Sequence, residues 1–389
     1  MTSEYTSLDS LIEDPGRRRF LGFGAAAGAV LAAAAVVPSA ARAAAKAKAA
    51  SLDECLSLSQ QQMAARAPAV KQGMAYLRSA ANTVRDAKAR AVVTALLDDP
   101  VPSLAGPLAD AGNRRAVYDE LVGQGLLKDV AFEAFLPPVA EGGRASQPFM
   151  SSTGSGWTSH HAYPGGLVTH TAANLHISEA IYASYKDVYG FALDRDTVVV
   201  SQMLHDLHKP WVFQWEGSGA CRTELSLAGT GEHHVLGVAE SIVRGVPARM
   251  VVAQACAHNH PGSPADEAQV VGWLKAASII VGVDPEKAGL LAPGGATLPL
   301  PRRMEGFVCH LGDHDWVFTV PAAKAMIAEL GDLAKERYGI DDVSASSKHF
   351  NNFRNYVFSQ ATIESLYETY AVKGRAGFAS AVAGVVRPA

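Results

Sequence analysis

The chain has 389 residues, 48% apolar and 19% charged, which suits a folded protein with one large core or two modest ones. A formal charge of −4 and a pI near 6.4 leave no electrostatic footprint for a nucleic-acid backbone or an anionic membrane surface. Nucleic acid is therefore not an expected partner.

At the N-terminus, Arg17-Arg18-Arg19-Phe20-Leu21 precedes a stretch from Gly22 to Val37 made almost wholly of Ala, Gly, Val and Leu. Small residues around Ala41-Arg42-Ala43 then offer a cleavage site. This order of cationic, apolar and small-residue regions is that of a secretory signal, and the paired arginines have the pattern of a twin-arginine signal. Residues 1–45 are thus expected to engage the twin-arginine export machinery and deliver the folded chain to the periplasm or beyond. The apolar stretch is short and Ala/Gly-rich for a membrane span, so none is expected in the mature protein. Retention by an uncleaved signal is the other outcome the segment allows. Cys55, Cys221, Cys256 and Cys309 form no CxxC pair, and a chain that folds before export is served at least as well by free buried thiols as by disulfides.

Residues 46–62 read as an Ala/Ser-rich linker running into a helix. Helical spacing recurs through Leu77, Val84, Val92 and Leu96, is broken at Pro100–Pro107, and resumes from Arg114 to Leu127. Residues 46–150 therefore form a helical N-terminal region and linker. A bundle follows over 151–290. Its helices are predicted at Gly166–Tyr185, at a segment capped by Asp196 and stopped by Pro210, at Glu232–Val243, from Pro247 towards Pro261, and at Asp266–Val281. Residues 291–389 are a C-terminal helical extension with helices at Pro321–Tyr338 and Asn351–Tyr370. Strand-like alternation is rare, so the class is mainly α.

Ten of the thirteen histidines fall between His160 and His260, where an even spread would put about three. One stands in Leu204-His205-Asp206-Leu207-His208-Lys209. Imidazole is the commonest protein metal ligand, and a neighbouring carboxylate can bridge two cations. Several imidazoles with one or two carboxylates suit Fe, Mn, Co, Ni or Zn better than Ca or Mg, which favour all-oxygen shells. One or two such divalent ions are expected, able to activate a water and to hold a phosphate oxygen.

The chemistry-bearing residues come in order: His160-His161-Ala162-Tyr163-Pro164-Gly165-Gly166-Leu167-Val168-Thr169-His170-Thr171, then His205-Asp206 with Lys209, then Glu232-His233-His234-Val235-Leu236-Gly237 and Ala257-His258-Asn259-His260. This succession resembles the HD-domain metal-dependent phosphohydrolases, in the branch with an HH-x-Y-x-GGL-x-x-HT entry, over residues 157–282. The resemblance implies His170, His205, Asp206, His234 and His258 as metal ligands, with His260 as the alternative to His258 and Asp206 bridging two ions. It implies Lys209 near the substrate phosphate, with Asp206, Lys209 and His161 as the catalytic groups.

One departure stands out. Many members of that family end the motif with an aspartate, and the comparable stretch here, Leu274–Ile280, carries Ala277 and Ser278. An imidazole such as His161 or His208 could then complete the metal shell, or the metal could carry an extra water. Asp313-His314-Asp315-Trp316 lies outside the family core and reads as unrelated to the site. Trp157, Trp211 and Trp215 flank the motifs and read first as structural. Gly165-Gly166 would let backbone approach a phosphate.

Three functions are compatible with these residues. The first is an exported phosphohydrolase or phosphodiesterase acting on a small-molecule phosphoester, nucleotides included. The second is a di-iron protein of the same fold that activates oxygen. The third is a metal- or ligand-binding module without turnover, because of the missing aspartate.

Overall fold

Residues 49–138 and 146–388 are described in a computed structural model of the chain, and they are mainly helical. The expected signal, residues 1–45, lies outside them. The described residues form one compact unit.

The N-terminal part opens with two short helices, α1 (Leu52–Ser57) and α2 (Gln60–Arg66), where a linker is expected. Ser51 caps α1, and Ser59 and Gln62 form a capping box on α2, so local hydrogen bonds start both helices. Next come α3 (Pro68–Asn82), α4 (Ala87–Asp98), α5 (Ala105–Ala109) and α6 (Ala111–Gly123).

The central bundle comprises α7 (Gly166–Tyr189), α8 (Arg195–Leu204), α9 (Lys209–Val212), α10 (Glu232–Val243), α11 (Ala248–Ala255) and α12 (Pro264–Val281). A short antiparallel hairpin, β1 (Ser226–Leu227) and β2 (Thr230–Gly231), precedes α10. The α8 cap is Asp194, not Asp196. Asp196 is buried and accepts hydrogen bonds from the Arg85 and Asp86 backbone amides, tying the α3–α4 turn to the bundle. Pro247 is the cap of α11 rather than its first residue.

The C-terminal part is α13 (Glu305–Asp313), α14 (Trp316–Tyr338), α15 (Lys348–Ala361) and α16 (Ile363–Val385). Two apolar clusters hold the unit together. The larger packs α3, α4 and α7 against α8, α10, α11 and α12. The second gathers Tyr338, Phe350, Phe353, Phe358 and Phe378 around Cys55, Met63 and Tyr163. The segment that reads as a linker thus buries its apolar side under the C-terminal helices, with Ala50 bridged to Val386.

Helix α13 fits because two of its residues lack side chains. A Cβ on Gly312 would stand within van der Waals overlap of Ser178 Oγ, and one on Gly306 would lie 2.9 Å from Cys256 Sγ. The backbone of α13 therefore presses directly on α7 and α11, and its last residue, Asp313, is carried into the bundle. All four cysteines are buried and free. Among the described residues no helix is long and apolar enough to cross a membrane.

Candidate metal centre

Four imidazoles and two carboxylates converge inside the bundle. His170 comes from the second turn of α7, and His205 and Asp206 follow the end of α8. His233 sits in the first turn of α10, His258 in the loop after α11, and Asp313 at the end of α13. His258 is thus a loop residue, where a helical one is expected. Three helix C-termini, those of α8, α11 and α13, deliver donors here, and the negative end of each helix favours a cation.

The two carboxylates divide their oxygens between two pairs of imidazoles. Asp206 Oδ2 lies 2.9 Å from His170 Nε2 and 3.2 Å from His205 Nε2, while Oδ1 lies 3.3 Å from His233 Nε2 and 3.7 Å from His258 Nε2. Asp313 repeats the pattern: Oδ1 is 3.3 Å from both His170 and His205 Nε2, and Oδ2 is 3.6 Å from His258 Nε2. Asp206 therefore spans both pairs, and Asp313 joins the first pair to His258, an arrangement that suits bridged cations.

A fit test comes from the orphaned polar atoms. His205 Nε2, His233 Nε2 and both Asp206 oxygens are buried and make no hydrogen bond of normal geometry, although Lys209 Nζ stands 2.5 Å from Asp206 Oδ2. Buried polar atoms are rarely left so. The remaining contacts point the imidazoles the right way. His205 Nδ1 is 2.7 Å from the Gln202 carbonyl and donates to it; His233 Nδ1 is 2.6 Å from Glu224 Oε2 and donates likewise. Both Nε2 lone pairs are thereby turned to the centre, which is how ligating histidines are oriented.

Electrostatics agree with this donor set. Burial alone would push the Asp206 carboxyl up, but His205 and Lys209 beside it hold it well below the ordinary carboxylate range. Burial is likewise overcome at Asp313, chiefly by His205 and His170. Burial disfavours a charged His205, yet Asp206 and Asp313 bring it up to about 10. At His233, Glu224 and Asp206 outweigh burial and bring it up to about 9. The carboxylates stay ionised and draw positive charge to themselves, as protons or as metal.

Asp313 corrects the sequence reading on two points. A second carboxylate comes from a different helix, 35 residues after Ser278 in the chain. Neither His161 nor His208 completes the pair: His208 Nε2 lies 3.5 Å from Glu240 Oε2, on the far side of α10, and His161 faces Glu364. The tripeptide-like Asp313–Asp315 segment read as unrelated because spacing carries no trace of α13 folding back.

His234, expected as a ligand, makes no ion pair with either carboxylate. Its Nε2 is 3.1 Å from the Ala255 carbonyl, its Nδ1 is buried without a hydrogen-bond partner, and its ring lies tilted at 4.2 Å from that of His258 and meets Trp273 edge-on. His234 backs His258, and His233 faces Asp206 instead. Gly237 marks the α10 face that packs on the His205 carbonyl, and both histidines flank that face. Glu224, arriving from the hairpin, selects His233. His260 packs on Phe307 and His310, away from the carboxylates.

Lys209 is buried and donates to the Gly154 carbonyl at 2.6 Å besides pairing with Asp206. Gly165 and Gly166 do not approach a ligand. A Cβ on Gly166 would collide with the His161 carbonyl, and Gly165, at φ 87°, packs on Val70. The glycines let the His160–His161 loop lie on the start of α7. A cavity of about 640 Å³ opens onto the centre, walled by His160, Lys209, Glu224 and the rings of Trp157, Phe213 and Trp316. Trp211 and Trp215 are not among its walls; Trp211 is buried against His208.

Comparison with known proteins adds one likeness. Over 101 residues the chain is 30% identical to the dihydroneopterin 2',3'-cyclic phosphate phosphodiesterase of Methanocaldococcus jannaschii. The match spans 25% of this chain and 39% of that protein, so the chain covers well under half of the relative's length. No family model matches the chain, and no solved structure does. The likeness weakly suggests a phosphohydrolase.

Proposed function

We propose that this protein is a metal-dependent phosphohydrolase that cleaves a small-molecule phosphoester, with His170, His205, Asp206, His233, His258 and Asp313 holding one or two divalent transition ions. The observation that carries this reading is the pair of carboxylates set among four imidazoles, with His205 Nε2, His233 Nε2 and both Asp206 oxygens buried without hydrogen bonds. The phosphodiesterase name of the archaeal relative supports the choice of reaction class.

A divalent ion of the Fe, Mn, Co, Ni or Zn type supplies Lewis acidity towards a phosphate oxygen and brings the pKa of a water towards neutrality. The protein's own residues do the rest. Asp206 and Asp313 set the spacing of the two donor sets. Glu224 and the Gln202 carbonyl fix the tautomers of His233 and His205. Lys209 keeps positive charge at the cavity wall, where negative charge builds on a phosphoryl group. Asp313 supports the catalytic reading over a module without turnover, since it brings a second carboxylate to the imidazoles.

The test is hydrolysis of p-nitrophenyl phosphate and bis-p-nitrophenyl phosphate by protein loaded in turn with each of the five metals. Activity with at least one metal, lost in His205→Ala and Asp206→Ala, is expected. No hydrolysis with any metal overturns the proposal, and bound iron with oxygen uptake would favour the oxygen-activating alternative. We also propose export on the Arg17–Arg18 signal, supported by the order of cationic, apolar and small-residue regions alone. A fusion of residues 1–45 to a reporter active only outside the cytoplasm checks it: export should be lost in the Arg17→Lys/Arg18→Lys pair.

A further inference from the structure

A third group of imidazoles stands beside the centre and is used by nothing described so far. His160, His161 and His170 each bring a ring nitrogen within 4.8 Å of the others. His160 Nδ1 and His161 Nδ1 are 2.9 Å apart, and both rings lie 5.0 Å from that of His170. His170 turns Nε2 to the carboxylates, which leaves Nδ1 buried with no hydrogen-bond partner. Behind His161, Glu364 Oε1 lies 3.4 Å from Nε2, so Nδ1 is the nitrogen His161 presents to His160. A carboxylate behind the outer nitrogen is the usual support of a ligating histidine.

The fold holds this group in place at a cost. His161 has φ 54°, a left-handed conformation that non-glycine residues rarely adopt and that is found mostly where function over-determines the backbone. Two glycines make room for it: a Cβ on Gly154 would stand 2.7 Å from His161 Cβ, and Gly166 admits the His161 carbonyl. His160, whose ring walls the cavity, is left half-buried.

We propose that His160, His161 and His170 Nδ1 form an additional site for a borderline transition cation, Zn(II) above all, with His170 shared between it and the two-carboxylate centre as an imidazolate, its ring proton released to solvent when the second ion binds. Three nitrogen donors leave one tetrahedral position free, and the cavity lies beside His160, so that position is open to water or to an oxygen of a bound substrate. The absence of carboxylate donors separates it from the main centre and disfavours Mg and Ca. The proposal rests on the metal-centre reading above.

The experiment is metal counting on the full chain, stripped with chelator, reloaded with Zn(II) and freed of excess, by elemental analysis. Wild type should hold one ion more than His160→Asn, three against two where the main centre holds two, with wild-type circular dichroism kept in the variant. Glu364→Gln, which leaves the donors in place, should retain the third ion more weakly, by about tenfold or more. Two ions in both wild type and His160→Asn would overturn the third site and leave the proposed function standing. Three ions in both would place the extra ion elsewhere and overturn it too. No ions in wild type would sink the main centre together with this one. Should His160→Asn misfold, Glu364→Gln alone decides: unchanged affinity for all ions overturns the site.

Discussion

At the scale of the residue, Asp313 adds a second carboxylate to the imidazoles that Asp206 already touches. Asp313→Ala leaves Asp206 as the one carboxylate beside His170, His205 and His258, and on the proposed function hydrolysis should fall by about a hundredfold or more, read as kcat/KM on p-nitrophenyl phosphate with each metal. The neighbouring pair on α10 gives a sharper contrast. His233→Ala should lower metal affinity by at least about tenfold, whereas His234→Ala should mainly destabilise the fold, because His233 faces Asp206 while His234 packs on the Ala255 carbonyl and the His258 and Trp273 rings. Metal titration and thermal unfolding of the two variants separate these effects, and equal losses of affinity would refute the assignment of roles. Spacing does not distinguish the two: adjacent residues of a helix flank the same packing face, and the choice falls to Glu224, a partner contributed by a different element. His170, His205 and Asp206 are legible because a local motif presents each of them.

At the scale of elements, α13 and α10 carry the device that closes the site. Gly312 must stay small: Gly312→Ala would push a methyl into Ser178 Oγ and move α13 off α7. The expected cost is about 1–3 kcal/mol, with a drop in metal affinity because Asp313 moves with its helix. Denaturant unfolding and metal titration of the variant should shift together. On the opposite face of α10, Glu240 is fully buried and accepts from the Ser103 amide and hydroxyl and from Arg244, facing His208. Burial would raise its carboxyl, but His208 and Ser103 overcome this and bring it down to about 2. The folded pKa lies below the ordinary glutamate value of 4.5, so Glu240 contributes stability fully above that value and loses it as pH falls towards about 2. The size is on the order of 3 kcal/mol. Glu240→Gln should therefore flatten the stability-versus-pH curve between about pH 5 and 2 in urea unfolding. A curve as steep as that of wild type would show that Glu240 does not carry this dependence.

For the molecule as a whole, the two ends of the described chain share one apolar cluster. Residues 50–63 lie beneath α14–α16, and α16 also supplies Glu364 behind His161. Removing the chain after Gly374 would strip Phe378, Val382 and Val386 from that cluster and expose Ala50 and Cys55. A marked loss of thermal stability is expected, with Cys55 becoming open to thiol reagents that do not reach it in the intact protein.

What the amino-acid order determines by itself is whatever a few neighbouring residues can specify. It yields a mainly helical chain from its periodicity and caps, an imidazole-rich centre from the density of histidines, and His205-Asp206 as its core. Apolar spacing and turn chemistry are local, so they are written in short stretches of sequence. The tertiary structure decided which of two adjacent histidines faces inwards, that His258 acts from a loop, and that Asp313 stands where Ser278 leaves a gap. Those choices depend on helices meeting at close range through Gly306, Gly312 and Gly237, contacts between segments far apart in the chain that no local pattern encodes.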